Sequence, residues 1–197
     1  MNYTTVYGLR MIKGNGQLHQ GVEGFYHEKQ PVHVSLLSMS GIQSVLSGEK
    51  RVYIFENSGV FSGVISRLQK DRGLVCTNGQ LHLASLILLD LLAKQGYQMY
   101  YAGDFEPEGL NIAWRLKQRY QEQLVLWRYD VADYEVAISN KSVSAQRIKK
   151  MDKIHDEVLE PVKCRIAESK KAGYQEMLID RYLEELNESE YLNSHVF

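Results

Sequence analysis

Tyr97-Gln-Met-Tyr-Tyr-Ala-Gly-Asp-Phe-Glu-Pro-Glu-Gly-Leu110 passes from strand to turn to helix within one short stretch. Tyr97 to Ala102 is aromatic and apolar enough to lie in a sheet. Pro107 suits a first helical turn, and Leu110, Ile112, Ala113 and Leu116 follow at helical spacing. Between them stand three acids, Asp104, Glu106 and Glu108. If Asp104 to Glu106 stay extended, those two side chains point to one side of the chain. They then project from the carboxyl edge of the sheet, where open parallel sheets bind ligands.

Outward from this stretch the same pattern repeats. Arg51-Val-Tyr-Ile-Phe-Glu56 is β-branched and aromatic throughout, as a strand covered on both faces should be. Asn57-Ser-Gly59 then makes a turn able to cap a helix from Val60 to about Lys70. Leu74-Val-Cys76 reads as a strand, Thr77-Asn-Gly79 as a turn, and Gln80 to Lys94 as an amphipathic helix that Gly96 terminates. After the helix Leu110–Tyr120 comes a short strand, Leu124–Trp127. Strands alternating with helices predict an α/β fold with a mainly parallel central sheet and right-handed crossovers.

Residues 1–30 read as an irregular or hairpin segment, residues 31–140 as the α/β domain, and residues 141–197 as a helical extension packed on it. Within these, Val32–Leu37 predicts a strand and Ser40 a cap for a helix to about Leu46. Helices are expected over Ala132–Ile138, Ser142–Leu159, Val162–Ala172 and Tyr174–Leu186, punctuated by Pro161 and Gly173. The final residues are polar.

The chemistry rests on a coincidence. Glu56 follows the first strong strand and Asp104 with Glu106 follows the third, so in a parallel sheet all three face one edge. Two carboxylates held close repel, which raises the pKa of one of them unless a cation neutralises the pair. Mg²⁺ suits such a pair, because it takes one or two carboxylates and keeps its other positions for water and phosphate oxygens. Asp104 and Glu106 would hold the ion, with Glu108 a further candidate. Glu56 would complete the metal shell or move a proton in phosphodiester chemistry. A second reading stays open on these residues alone, since acids after strands also cap helix N-termini and complement the helix dipole.

These residues resemble a known family. Glu56, then Asp104-Phe-Glu-Pro-Glu-Gly-Leu-Asn-Ile112, is similar to the Toprim domain of topoisomerases, primases and nucleases, and especially to its form in the A subunit of type IIB topoisomerases. Phe55-Glu-Asn57, Val75-Cys-Thr-Asn-Gly79, Gly103–Leu110 and Trp127-Arg-Tyr-Asp130 with Asp133-Tyr134 resemble, more narrowly, an uncharacterised bacterial family of Toprim-like domains. Relatives of that family form the C-terminal domain of nuclease subunits in Wadjet-type plasmid-defence systems. The resemblance covers about residues 30 to 140. It implies a three-layer, Rossmann-like Toprim fold and a Mg²⁺-dependent site acting on DNA, with Mn²⁺ as a substitute ion. Glu56 would be the acid/base and Asp104 and Glu106 the metal ligands. It also implies protein partners in a multi-subunit defence complex. The chain departs from the pattern at Glu106, where aspartate is commoner, and by its added acid Glu108. It has no room for the separate domain that carries a topoisomerase tyrosine, so hydrolysis by an activated water fits better than strand passage.

Composition narrows the partners. The 197 residues carry 44% hydrophobic and 24% charged residues with a net charge of −1, the profile of an ordinary globular chain. Cys76 and Cys164 have no metal or disulfide spacing, and the six histidines are scattered. Without a signal peptide or a membrane-length apolar run, the expected location is the cytoplasm, with no membrane partner. No phosphate-binding glycine motif supports a nucleotide cofactor. Between Lys141 and Lys171 nine basic residues face five acids. Arg147, Lys149 and Lys150 are candidates for phosphate contact, with Asn57, Thr77 and Asn78 at the strand ends. A solvated helix face explains the same charges. The expected function is Mg²⁺-dependent hydrolysis of nucleic acid. The alternative is a non-catalytic module on the same fold that binds nucleic acid or a partner.

Overall fold

A computed structural model describes residues 2–188. Met1 and residues 189–197, which include the polar tail and His195, lie outside the described residues. The chain opens with β1 (Tyr3–Tyr7), β2 (Arg10–Lys13) and α1 (Gln20–His27), followed by β3 (Val32–Ser35), α2 (Leu36–Ser40) and β4 (Ile42–Leu46). Next come the alternating units: β5 (Arg51–Phe55), α3 (Ser58–Ile65), β6 (Gly73–Cys76), α4 (Leu83–Lys94), β7 (Gln98–Ala102), α5 (Pro107–Tyr120) and β8 (Leu124–Leu126). The remainder forms α6 (Val131–Ala137), β9 (Ile138–Ser142), α7 (Ala145–Ile148), α8 (Leu159–Ser169), β10 (Lys171–Gly173) and α9 (Ile179–Asn187).

The central sheet has the order β3-β1-β6-β5-β7-β8. The strands β6, β5, β7 and β8 run parallel, and β1 is antiparallel to both its neighbours. This is the α/β architecture with a mostly parallel sheet that the alternating pattern predicts. In β5, Val52, Tyr53, Ile54 and Phe55 are all buried, because helices cover both faces. The β5–β6 crossover steps one way along the sheet, while β6–β7 and β7–β8 step the other way. With right-handed connections, α3 lies on one face and α4 and α5 on the opposite one. Adjacent β5 and β7 therefore flank the switch point, where their carboxyl ends leave a crevice. On the α3 face, Tyr182 of α9 packs on Phe55 and Trp127, with ring centroids 5.3 and 4.8 Å apart.

Several expectations need correction. The segment read as irregular or hairpin-like supplies β1, which sits inside the central sheet between β3 and β6, and β2, which pairs with β4 rather than with β1. The helix expected after Ser40 is a strand. Ser35 caps the short α2 through a bond from the Ser38 N–H, and Gly41 follows that helix. Ile42 and Val45 are then buried as β4 pairs with β2. The long helix over 142–159 is also absent. Ile138–Ser142 pairs with β10 instead, and Ser144 starts α7 by accepting from the Arg147 N–H. Each strand is short, and each gains its hydrogen bonds only from a partner far away in sequence.

Arg72 locks the end of α9 to this frame. It is only 6% exposed, and its Nε donates to Leu186 O at 3.0 Å while Nη2 reaches Glu188 O at 3.3 Å. Nη1 pairs with Glu49. Arg72→Met keeps the length but strips all three bonds, and it leaves the buried Leu186 carbonyl and a half-buried carboxylate unpartnered. A loss of about 3 kcal/mol is expected in urea unfolding.

Candidate active site at the carboxyl edge of the sheet

Register brings the acids together. Phe55 pairs with Ala102, so Glu56 and Gly103 leave the sheet side by side, and Glu56 N–H donates to Ala102 O at 3.0 Å. The Glu56 carboxylate then folds over the β7 turn. Its Oε2 accepts the Asp104 N–H at 3.2 Å and lies 3.5 Å from the Tyr101 hydroxyl. Two glycines make this possible. A Cβ at Gly103 would lie 2.6 Å from Glu56 Oε2 and 2.6 Å from the Tyr129 hydroxyl oxygen, and one at Gly109 would lie 2.3 Å from Asp104 O. What approaches these glycines is the protein's own acids and backbone.

Both carboxyls are held above their ordinary range. Burial is the main cause for Glu56, and the neighbouring Asp104 charge adds to it, pushing it up to about 7. Burial likewise lifts Asp104 to about 6, with the charges of Glu176 and Glu106 adding and the Gln175 N–H, 3.0 Å from Oδ1, opposing. An acid poised near 7 is half ionised at neutral pH, as proton transfer requires.

Glu106 is extended, as its position two residues after Asp104 requires, but its carboxylate is taken by Arg147. The Arg147 Nη2 is 2.7 Å from Glu106 Oε2, and its Nε is 3.1 Å from Glu108 Oε2. Lys150 Nζ adds a bond to Glu108 Oε1 at 2.9 Å. Glu108 is held down to about 2 by the Arg147 hydrogen bonds and then by Lys150. The structure therefore pairs Glu56 with Asp104, and Glu106 and Glu108 with Arg147. Among the described residues no three His, Cys, Asp or Glu side chains gather as a metal-holding set.

The other sequence candidates divide. Lys149 is exposed beside a groove of about 440 Å³ that Arg115, Lys150 and Lys153 also line. Asn57 caps α3 through bonds from the Gly59 and Val60 N–H groups, and its amide donates to Glu176 at 2.7 Å. Thr77 is fully buried and bonds Phe55 O and Gly79 O. Asn78 takes a left-handed conformation and donates to Thr5 and Cys76 O. These three side chains hold the strand ends together.

Sequence reasoning missed the residues that enclose the acids from the far end of the chain. Gly173 and Phe105 exchange two backbone hydrogen bonds of 2.9 Å, which fixes the following turn over Asp104. Gln175 and Glu176 follow, the first bonding Asp104 and the second Asn57. Tyr129 and Tyr101 line the other side, stacked at 6.4 Å. A polar residue within an apparently helical stretch gives no local sign of such a role.

The chain belongs to the family described as "Protein of unknown function C-terminus (DUF2399)", whose model matches residues 32–186. No curated protein matches the chain.

Proposed function

We propose that this member of that family is a Toprim-like, Mg²⁺-dependent hydrolase of nucleic-acid phosphodiesters, related to the nuclease subunits of plasmid-defence complexes. One observation carries the proposal: Glu56 and Asp104 adjoin at the switch point of a parallel sheet, both raised by burial and neither bonded to a basic residue in the described ion pairs. Carboxylate and carbonyl oxygens are the donors that Mg²⁺ and Mn²⁺ prefer, so the residues present fit a hard divalent ion.

In this reading Asp104 holds the ion and Glu56 handles the proton. When bound, the cation neutralises charge on the phosphate and acidifies a water. Glu56, which burial makes more basic than an ordinary carboxylate, accepts the proton of the attacking water. The Asp104 N–H and the Tyr101 hydroxyl hold the Glu56 carboxylate in place. Arg147 and Lys150 fix the start of α5, which sets where the phosphate meets Asp104. DNA is the substrate class that the Toprim resemblance favours, with protein partners to present it.

The test is calorimetric titration of Mg²⁺ and Mn²⁺, followed by cleavage of supercoiled, linear and single-stranded DNA. Asp104→Ala is expected to weaken ion binding by more than about a hundredfold, whereas Glu106→Ala, already engaged by Arg147, should cost less than about tenfold. Cleavage that survives Asp104→Ala or chelation would sink the hydrolase reading. DNA binding without any metal dependence would mark a non-catalytic module, which the capture of Glu106 by Arg147 favours.

A further inference from the structure

Gln175 is fully buried, and neither its Oε1 nor its Nε2 completes a hydrogen bond within the protein. A buried primary amide without partners is costly, and native structures seldom keep one without a reason. Its place is fixed from both sides. The Gly173–Phe105 bridge holds the preceding residues, and its own N–H donates to Asp104 Oδ1 at 3.0 Å. The same enclosure contains a second unsatisfied group, the Tyr129 hydroxyl, beside Gly103 and Glu56. Glu56 thus adjoins the Tyr129 hydroxyl at Gly103, and Asp104 adjoins Glu56 and the Gln175 backbone, while the neighbouring cations Arg147 and Lys150 are committed to Glu106 and Glu108.

We infer that Gln175 is a further ligand of the divalent ion at Asp104, supplying its amide oxygen as a neutral donor. The inference rests on the reading of Asp104 as a metal ligand and adds to it a residue outside the acidic motif. Amide and carboxylate oxygens together form the mixed oxygen set that hard cations accept. A neutral donor contributes coordination without a further like charge beside Glu56 and Asp104, which already repel. It also accounts for the enclosure of the motif by residues 173–176, since a ligand must be held as firmly as the acid it joins.

The experiment titrates Mn²⁺ chloride by calorimetry into the full chain, as wild type, Asp104→Asn, Gln175→Met and Gln175→Glu. The melting temperature of each metal-free protein is measured alongside. Gln175→Met is expected to weaken Mn²⁺ about tenfold while the metal-free melting temperature holds or rises, because an unpartnered amide has been removed. A merely structural glutamine would lower the melting temperature and leave the affinity alone. Gln175→Glu is expected to tighten Mn²⁺. A Gln175→Met affinity within about twofold of wild type overturns the inference. If Gln175→Met does not fold, an unchanged affinity in Gln175→Glu overturns it equally. Wild type that binds no Mn²⁺, or Asp104→Asn that binds as well as wild type, overturns the metal reading itself and the inference with it.

Discussion

Glu56→Gln is expected to raise the stability of the metal-free protein at pH 8 and, on the proposed function, to slow hydrolysis severely. The Glu56 carboxyl titrates near 7 in the folded chain, against an ordinary value of 4.5. Between those values the native state binds more protons than the unfolded state, so stability falls as pH rises from about 4.5 to about 7 and then levels off. A gap of this size corresponds to roughly 3 kcal/mol before solvent screening, and about 2 kcal/mol after it. The neutral amide of glutamine avoids that cost and still accepts from the Asp104 N–H. The expected gain is a melting temperature higher by about 4–8 °C at pH 8, shrinking towards zero below about pH 5. On the proposed function, hydrolysis should rise with pH as Glu56 ionises, at a pH below the metal-free value because a bound cation favours the carboxylate, and the glutamine variant should lose about 10²–10⁴-fold with no such profile. A variant less stable than wild type at pH 8 would show that the Glu56 charge is compensated after all.

Gly109→Ala is the most damaging single methyl group expected near the site. Its Cβ would sit 2.3 Å from Asp104 O and 3.1 Å from Asp104 C, and backbone cannot swing aside as a side-chain tip can. Either the first turn of α5 shifts or the Asp104 peptide does. A loss of about 3 kcal/mol is expected in urea unfolding and, on the proposed function, weaker Mn²⁺ binding even where the protein remains folded. Gly103→Ala meets only the ends of Glu56, Tyr129 and Tyr101, so its stability cost should be smaller. Stabilities in the reverse order would mean that α5 is free to slide.

Sequence and structure agree where the code is local. The strands β5, β6, β7 and β8 announce themselves by continuous apolar runs, Asn57 by its capping position and Pro107 by its place at the start of a helix. That Glu56 and Asp104 leave the sheet on one edge was legible because a parallel sheet puts successive strand ends there, whereas the expected pairing of Asp104 with Glu106 was not kept, Glu106 being bound by Arg147. Other features depend on partners distant in the chain. The strand β1 is only five residues long and gains its place from β3 and β6 on either side. Lys171-Ala-Gly173 carries no strand signature and pairs because Ile138–Ser142 is there to receive it. Arg147 was legible as one cation of a basic cluster suited to phosphate, but its pairing with Glu106 and Glu108 was not. Gln175 gave no sign, since its significance lies wholly in Asp104, seventy-one positions earlier.

The Phe105–Gly173 bridge also sets a timetable. Synthesis proceeds from the amino end and domains gather as they emerge, so the strands from Tyr3 to Leu126 are available before Gly173 exists. Until the ribosome has released residues 173–176, Asp104 lacks its Gln175 N–H and the acids lie open to water. A half-made chain therefore carries the motif without the enclosure. On the proposed function, the site is complete only once residues 173–176 have been made.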